Sequence, residues 1–148
     1  MRPLLAIASA CFLTLSALGA TGLAEPSTQA AYVVIVNPSN QATTVERGFL
    51  EDAFLKKTTR WPSDEVIRPA DLVSGSAVRR KFTEDVLKRS VEAVKGYWQQ
   101  RIFSGRDVPP PEFEKDEEAV AYVLKYAGAV AYVSPNANLS GSKVVTVR

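Results

Sequence analysis

Histidine is absent from these 148 residues, and cysteine and methionine occur once each, at Cys11 and Met1. Without an imidazole, the chain lacks the usual near-neutral proton shuttle and the commonest transition-metal ligand. A Ser-His-Asp triad is thereby excluded, and metal-assisted hydrolysis and cysteine chemistry have few residues to carry them. Long apolar runs are missing too, except for Leu4 to Leu18, which is short for a membrane span. With Arg2 ahead of it and the small-x-small triplet Gly22-Leu23-Ala24 behind it, that run predicts a signal peptide over residues 1–24, cleaved before Glu25. Cys11 sits inside the run with apolar sequence after it, which does not fit a lipid-modified cysteine. The expectation is an exported, periplasmic protein that is not an integral membrane protein.

Removing 24 of 148 residues leaves 124, enough for one core. That remainder has neither cysteine nor histidine, so packing must hold it together. Overall charge is nearly balanced, with 18 Lys+Arg against 16 Asp+Glu, but it is unevenly spread. Residues 79–106 carry eight basic and three acidic side chains, whereas residues 107–118 carry six acids and Lys115. A neutral exported domain without interleaved exposed aromatics is not expected to bind nucleic acid. The basic stretch can attract a small anion or simply form a helix surface.

Tyr32-Val33-Val34-Ile35-Val36 is a continuous run rich in β-branched residues and predicts a buried strand, ended by Asn37-Pro38-Ser39-Asn40. Thr43 and Glu46 are spaced as a capping box for a helix reaching about Leu55. A strand at Val66–Arg68 and a helix from Ser76 follow. Ser90 predicts a further cap, with Val91, Val94, Trp98 and Ile102 on the inner face and Gly105 at the end. Asp116 predicts a cap for a helix to Tyr126, and Ala129–Val133 and Lys143–Val147 read as closing strands. This alternation predicts one compact α/β domain over residues 25–148, with a mixed, partly parallel sheet flanked by helices.

The turn Ser74-Gly75-Ser76 between the second strand and its helix is the most informative local feature. A strand, a Ser/Gly turn and a helix start aim free backbone N–H groups at whatever lies in front, a natural anion site. Ser76 is a good N-cap, and Val78, Phe82 and Val86 then share one buried face. Arg80 and Lys81 have acids four residues on, at Glu84 and Asp85, whereas Arg79 faces Thr83. An unpaired arginine beside a helix N-terminus is readily explained by a bound anion. Spacing alone favours the plainer alternative, a capped helix with a solvated arginine. Asn37, Ser39 and Asn40 lie at a strand end, where α/β sheets place ligands, and are also ordinary turn residues. Ser104-Gly105-Arg106 could add donors, or could be a C-cap with a basic last turn. The acids Glu112, Glu114, Asp116, Glu117 and Glu118 lack the spacing of a calcium loop and read as helix-start acids.

The order of these pieces resembles the substrate-binding proteins of phosphate transporters. Phe54-Leu55-Lys56 and Thr58-Thr59-Arg60-Trp61 are similar to that family's "IF-G-x-x-x-x-W" segment. Gly75-Ser76-Ala77-Val78-Arg79-Arg80-Lys81-Phe82 is similar to its "G-S-G-T-R-x-x-F". Ala127-Gly128-Ala129-Val130-Ala131-Tyr132-Val133 is similar to its "P-G-A-I-G-Y-V", and Asn37-Pro38-Ser39-Asn40 to the opening of its short members. The resemblance implies one lobe of a type II periplasmic-binding-protein fold and capture of phosphate or a similar oxyanion for an ABC permease. By position it implies ligand contacts from Ser76 and Arg79, close backbone approach at Gly75, and Ser74, Ser39 and Asn40 around them. No cofactor, metal or catalytic residue is implied. Ala77 and Val78 stand where the motif has glycine and threonine, so one hydroxyl donor is lost. Three functions follow: an oxyanion-binding module; an envelope interaction protein that keeps the fold without tight ligand binding; and an enzyme, disfavoured because no nucleophile–base pair is visible.

Overall fold

The computed structural model of the chain describes residues 30–148. The signal-peptide expectation over residues 1–24 lies outside them. No helix among the described residues is long and apolar enough to cross a membrane.

Strand β1 (Val33–Val36) is flanked by β6 (Ala129–Val133) and β7 (Lys143–Val147), both antiparallel to it. Two-residue strands close the edges: β2 (Thr44–Val45) runs parallel to β7, and β3 (Arg68–Pro69) parallel to β6. The sheet order is therefore β2-β7-β1-β6-β3, mixed and partly parallel as expected. A second, two-stranded ladder pairs β4 (Asp71–Leu72) with β5 (Glu112–Phe113). Helices α1 (Arg47–Phe54), α2 (Ala77–Val86), α3 (Val91–Phe103) and α4 (Asp116–Lys125) complete the domain.

β6 is the centre of the core, with all five residues buried. Such a strand has to be apolar on both faces, which Ala-Val-Ala-Tyr-Val provides. Phe82 and Trp98 are buried as the sequence predicts, and Phe54 and Val130 are buried with them. Phe82 from α2 stacks on the Tyr132 ring of β6, with centroids 3.8 Å apart and planes 11° off parallel, and Phe54 from α1 lies 4.8 Å from Phe82.

Local expectations are corrected at four places. Thr43 does not cap α1: its carbonyl accepts from Thr146 N–H at the β2–β7 edge, and Glu46 is the N-cap without a side-chain bond. The strand expected at Val66–Arg68 starts two residues later, because Val66 is occupied by an isolated bridge to Arg60. Asp116 lies inside α4, with Lys115 as the N-cap, and the Glu118 carboxylate accepts from the N–H groups of Glu114 and Lys115. Ile102 is 50 % exposed, not on the inner face of α3, whereas Val91, Val94 and Trp98 are buried.

Candidate functional site

The Ser74–Ser76 turn forms because Ser76 N–H donates to Val73 O at 2.9 Å, while Ser76 Oγ accepts from Arg79 N–H at 3.3 Å as the cap of α2. Ser74 and Gly75 are exposed, and a Cβ built on Gly75 would meet no atom within 4 Å. The N–H groups of Ser74, Gly75, Ala77 and Val78 have no acceptor among the described residues. The last two are first-turn donors that project from the positive end of the helix. Ser76, Ser74 and Gly75 are thus gathered as one open, donor-rich turn.

Arg79 differs from the sequence expectation of an unpaired, solvated cation. It is 4 % exposed, and its guanidinium lies behind the turn. Nη2 is 3.2 Å from Asp71 Oδ2, and Nη1 donates to Leu72 O and to Glu112 Oε1. The Asp71 carboxylate also accepts from the Tyr132 hydroxyl and from Leu72 N–H. Partners lying eight residues before Arg79 and 33 after it are outside any helical spacing rule and leave no i,i+4 signal in the sequence. Arg79 Nε is buried without a partner among the described residues.

The electrostatics of this network follow from its burial. Burial pushes the Asp71 carboxyl up to about 6 against the pull of Arg79 and the Tyr132 hydrogen bond. Burial works against the Arg79 charge as well, but the carboxylates of Asp71 and Glu112 outweigh it and hold the guanidinium protonated. Burial and the adjacent Asp71 raise the Tyr132 phenol. Asp71 and Tyr132 carry no local site signal beyond the placing of an aspartate between the apolar Ala70 and Leu72, which needs a buried partner. Glu112, which the sequence reads as a helix-start acid, lies instead in β5 with its carboxylate on Arg79.

Ser39 and Asn40 are not brought to this turn. β3 and β6 run parallel, so the chain leaves β3 towards the Val133 end of the sheet. β1 runs antiparallel to β6, with Val36 opposite Val130, and ends at the Ala129 side. The two turns therefore lie at opposite ends of a five-residue strand, roughly 16 Å long. Asn37 is buried at that far end, donating to Val123 O and Leu124 O at the end of α4 and accepting from Ser39 N–H and Oγ. Asn40 Oδ1 accepts from Ala42 N–H at 2.9 Å. Ser39 and Asn40 border a small recess of about 150 Å³ with Ser63, Glu65 and Ala127. A groove of about 700 Å³ between Tyr32, Arg47, Asp85 and Val145 includes none of the six predicted ligand residues.

No model of a protein family matches the chain, and neither does any curated protein. Solved structures do. A protein assigned as a phosphate ABC transporter substrate-binding protein from Clostridium perfringens, solved with bound phosphate, superposes with a TM-score of 0.61 at 18 % identity. That match covers 79 % of this chain and 44 % of the other. An ABC-type phosphate transport receptor from Vibrio cholerae gives a TM-score of 0.61 at 16 % identity, covering 79 % and 46 %. The chain thus spans less than half the length of either protein and shares the α/β fold of one lobe of such binding proteins.

Proposed function

We propose that this chain is an exported oxyanion-binding module, with phosphate as the first ligand, seated on the Ser74–Ser76 turn. The observation that carries this reading is the set of unused N–H donors of Ser74, Gly75, Ala77 and Val78 beside the Ser76 hydroxyl, on the fold it shares with phosphate-binding proteins. Helix N-termini of this kind bind anions through backbone donors and the macrodipole. Arg79, committed to Asp71 and Glu112, acts here as a positioning residue that fixes the turn from behind and contributes no direct ligand contact. Ser39 and Asn40 fall outside this site. The module would pass its anion to an ABC permease or another envelope protein, and it catalyses no reaction.

Calorimetry of the purified protein against phosphate and sulfate tests the reading. Saturable binding is expected, weakened about ten- to a hundredfold by Ser76→Ala through loss of one hydroxyl donor. Ala77→Gly with Val78→Thr restores a hydroxyl and should tighten binding. No heat from either anion with the wild type or this double variant overturns it. That outcome would favour an envelope interaction protein, the reading supported by the internal pairing of Arg79.

A further inference from the structure

Helix α3 ends in a turn whose apolar residues face away from the core. Phe103 is 92 % exposed, Val108 61 % and Ile102 50 %. A phenylalanine exposed to that degree touches almost nothing in its own domain, which the tendency of single apolar residues to dot a surface does not explain when three fall within seven positions. The backbone holds them there firmly. Gly105, at φ +66°, donates to Ile102 O, and Arg106 N–H donates to Arg101 O, the two bonds of a Schellman motif. The positions that usually close this motif with an apolar contact are here Arg101 and Arg106. The Arg101 guanidinium lies 5.3 Å from the Tyr97 ring. Asp107, the acid of this turn, is 3.2 Å from Lys56 Nζ, so its charge is already matched.

We propose that this turn, residues 102–108, is a landing surface for a bilayer containing anionic phospholipid. Apolar side chains with arginines beside them suit the interface between acyl chains and headgroup phosphates, which adapts to a protruding side chain. A specific protein partner requires a complementary patch of roughly 800 Å² per side, much larger than three side chains on one turn. The inference is independent of whether an anion binds at the Ser74–Ser76 turn.

The test is co-sedimentation of the purified protein, expressed from the full sequence and with its N-terminus read by mass spectrometry, with lipid vesicles. Phosphatidylglycerol-containing vesicles should retain the protein, and pure phosphatidylcholine vesicles should retain much less. Phe103→Ser should lower the partition coefficient at least about tenfold, and Val108→Ser should also lower it. Arg106→Gln should cost about fivefold on the anionic vesicles and almost nothing on the neutral ones. Circular dichroism should show all three variants folded, since the positions are exposed. Equal retention on both vesicle types, or retention unchanged by Phe103→Ser, overturns the proposal. So does self-association of the wild type that Phe103→Ser abolishes without any lipid binding, because the turn would then be a protein contact.

Discussion

Arg79 shows how one buried guanidinium can set the geometry of an exposed turn. Its bonds reach β4 through Asp71 and Leu72 and β5 through Glu112, while its own backbone N–H holds the Ser76 cap. Removing one partner of a buried pair leaves the other charge without compensation, so Arg79→Ala should destabilise the domain by about 3–5 kcal/mol in urea denaturation. A solvated arginine would cost almost nothing, which makes the measurement decisive. Asp71 gives the network a pH signature. Its folded value, about 6, is raised above the ordinary 3.8, so its contribution to stability is complete below about pH 4 and is lost as pH rises through 6. The loss amounts to up to about 3 kcal/mol. Asp85 and Asp107 are shifted downward and act in the other direction, losing stability as pH falls below 3.8. The difference in unfolding free energy between wild type and Asp71→Asn should therefore change mainly between pH 4 and pH 6.

At the scale of elements, the turns carry more specific constraints than the helices. Gly128 opens β6 against the neighbouring loop, where a Cβ would come within 1.8 Å of Val66 O. Its carbonyl also accepts from Trp61 Nε1 and from Arg68 N–H. Gly128→Ala should consequently cost more than about 3 kcal/mol, read as a lowered melting temperature, since the clash is with backbone and cannot be relieved by a rotamer change. Ser76→Ala removes a cap and should cost about 1 kcal/mol by the same measurement. The contrast explains what the sequence revealed. Ala129–Val133 and Lys143–Val147 were legible because five-residue apolar or alternating runs have a visible period, and Ser90 and Gly105 because helix ends have local chemistry. The two-residue strands β2, β4 and β5 have no period to read and exist only through partners distant in sequence, and β3 overlaps the strand expected at Val66–Arg68 only at Arg68. The same holds for the candidate site. Ser74, Gly75 and Ser76 were found through local turn chemistry, whereas the partners of Arg79 and the remoteness of Ser39 and Asn40 follow from strand direction, which no short segment encodes.

At the scale of the whole molecule, the two tryptophans offer a test of whether the domain unfolds as one unit. Trp61 is buried beside Phe49, with its indole N–H bonded to Gly128 O near the start of β6. Trp98 is buried on α3 and packs edge-on to Tyr97, whose hydroxyl reaches Leu55 O. Both belong to the one hydrophobic cluster that, among the described residues, also includes Val34, Phe82, Val120 and Val130. A domain with one such core is expected to unfold in a single cooperative step. The single-tryptophan variants Trp61→Phe and Trp98→Phe will each be less stable than the wild type, so the comparison must be made within each variant. In each, the urea transition seen by the remaining tryptophan should coincide in midpoint and slope with the transition seen by far-ultraviolet circular dichroism. A fluorescence transition that precedes the loss of secondary structure in only one variant would mean that the packing around the remaining tryptophan opens as a separate unit.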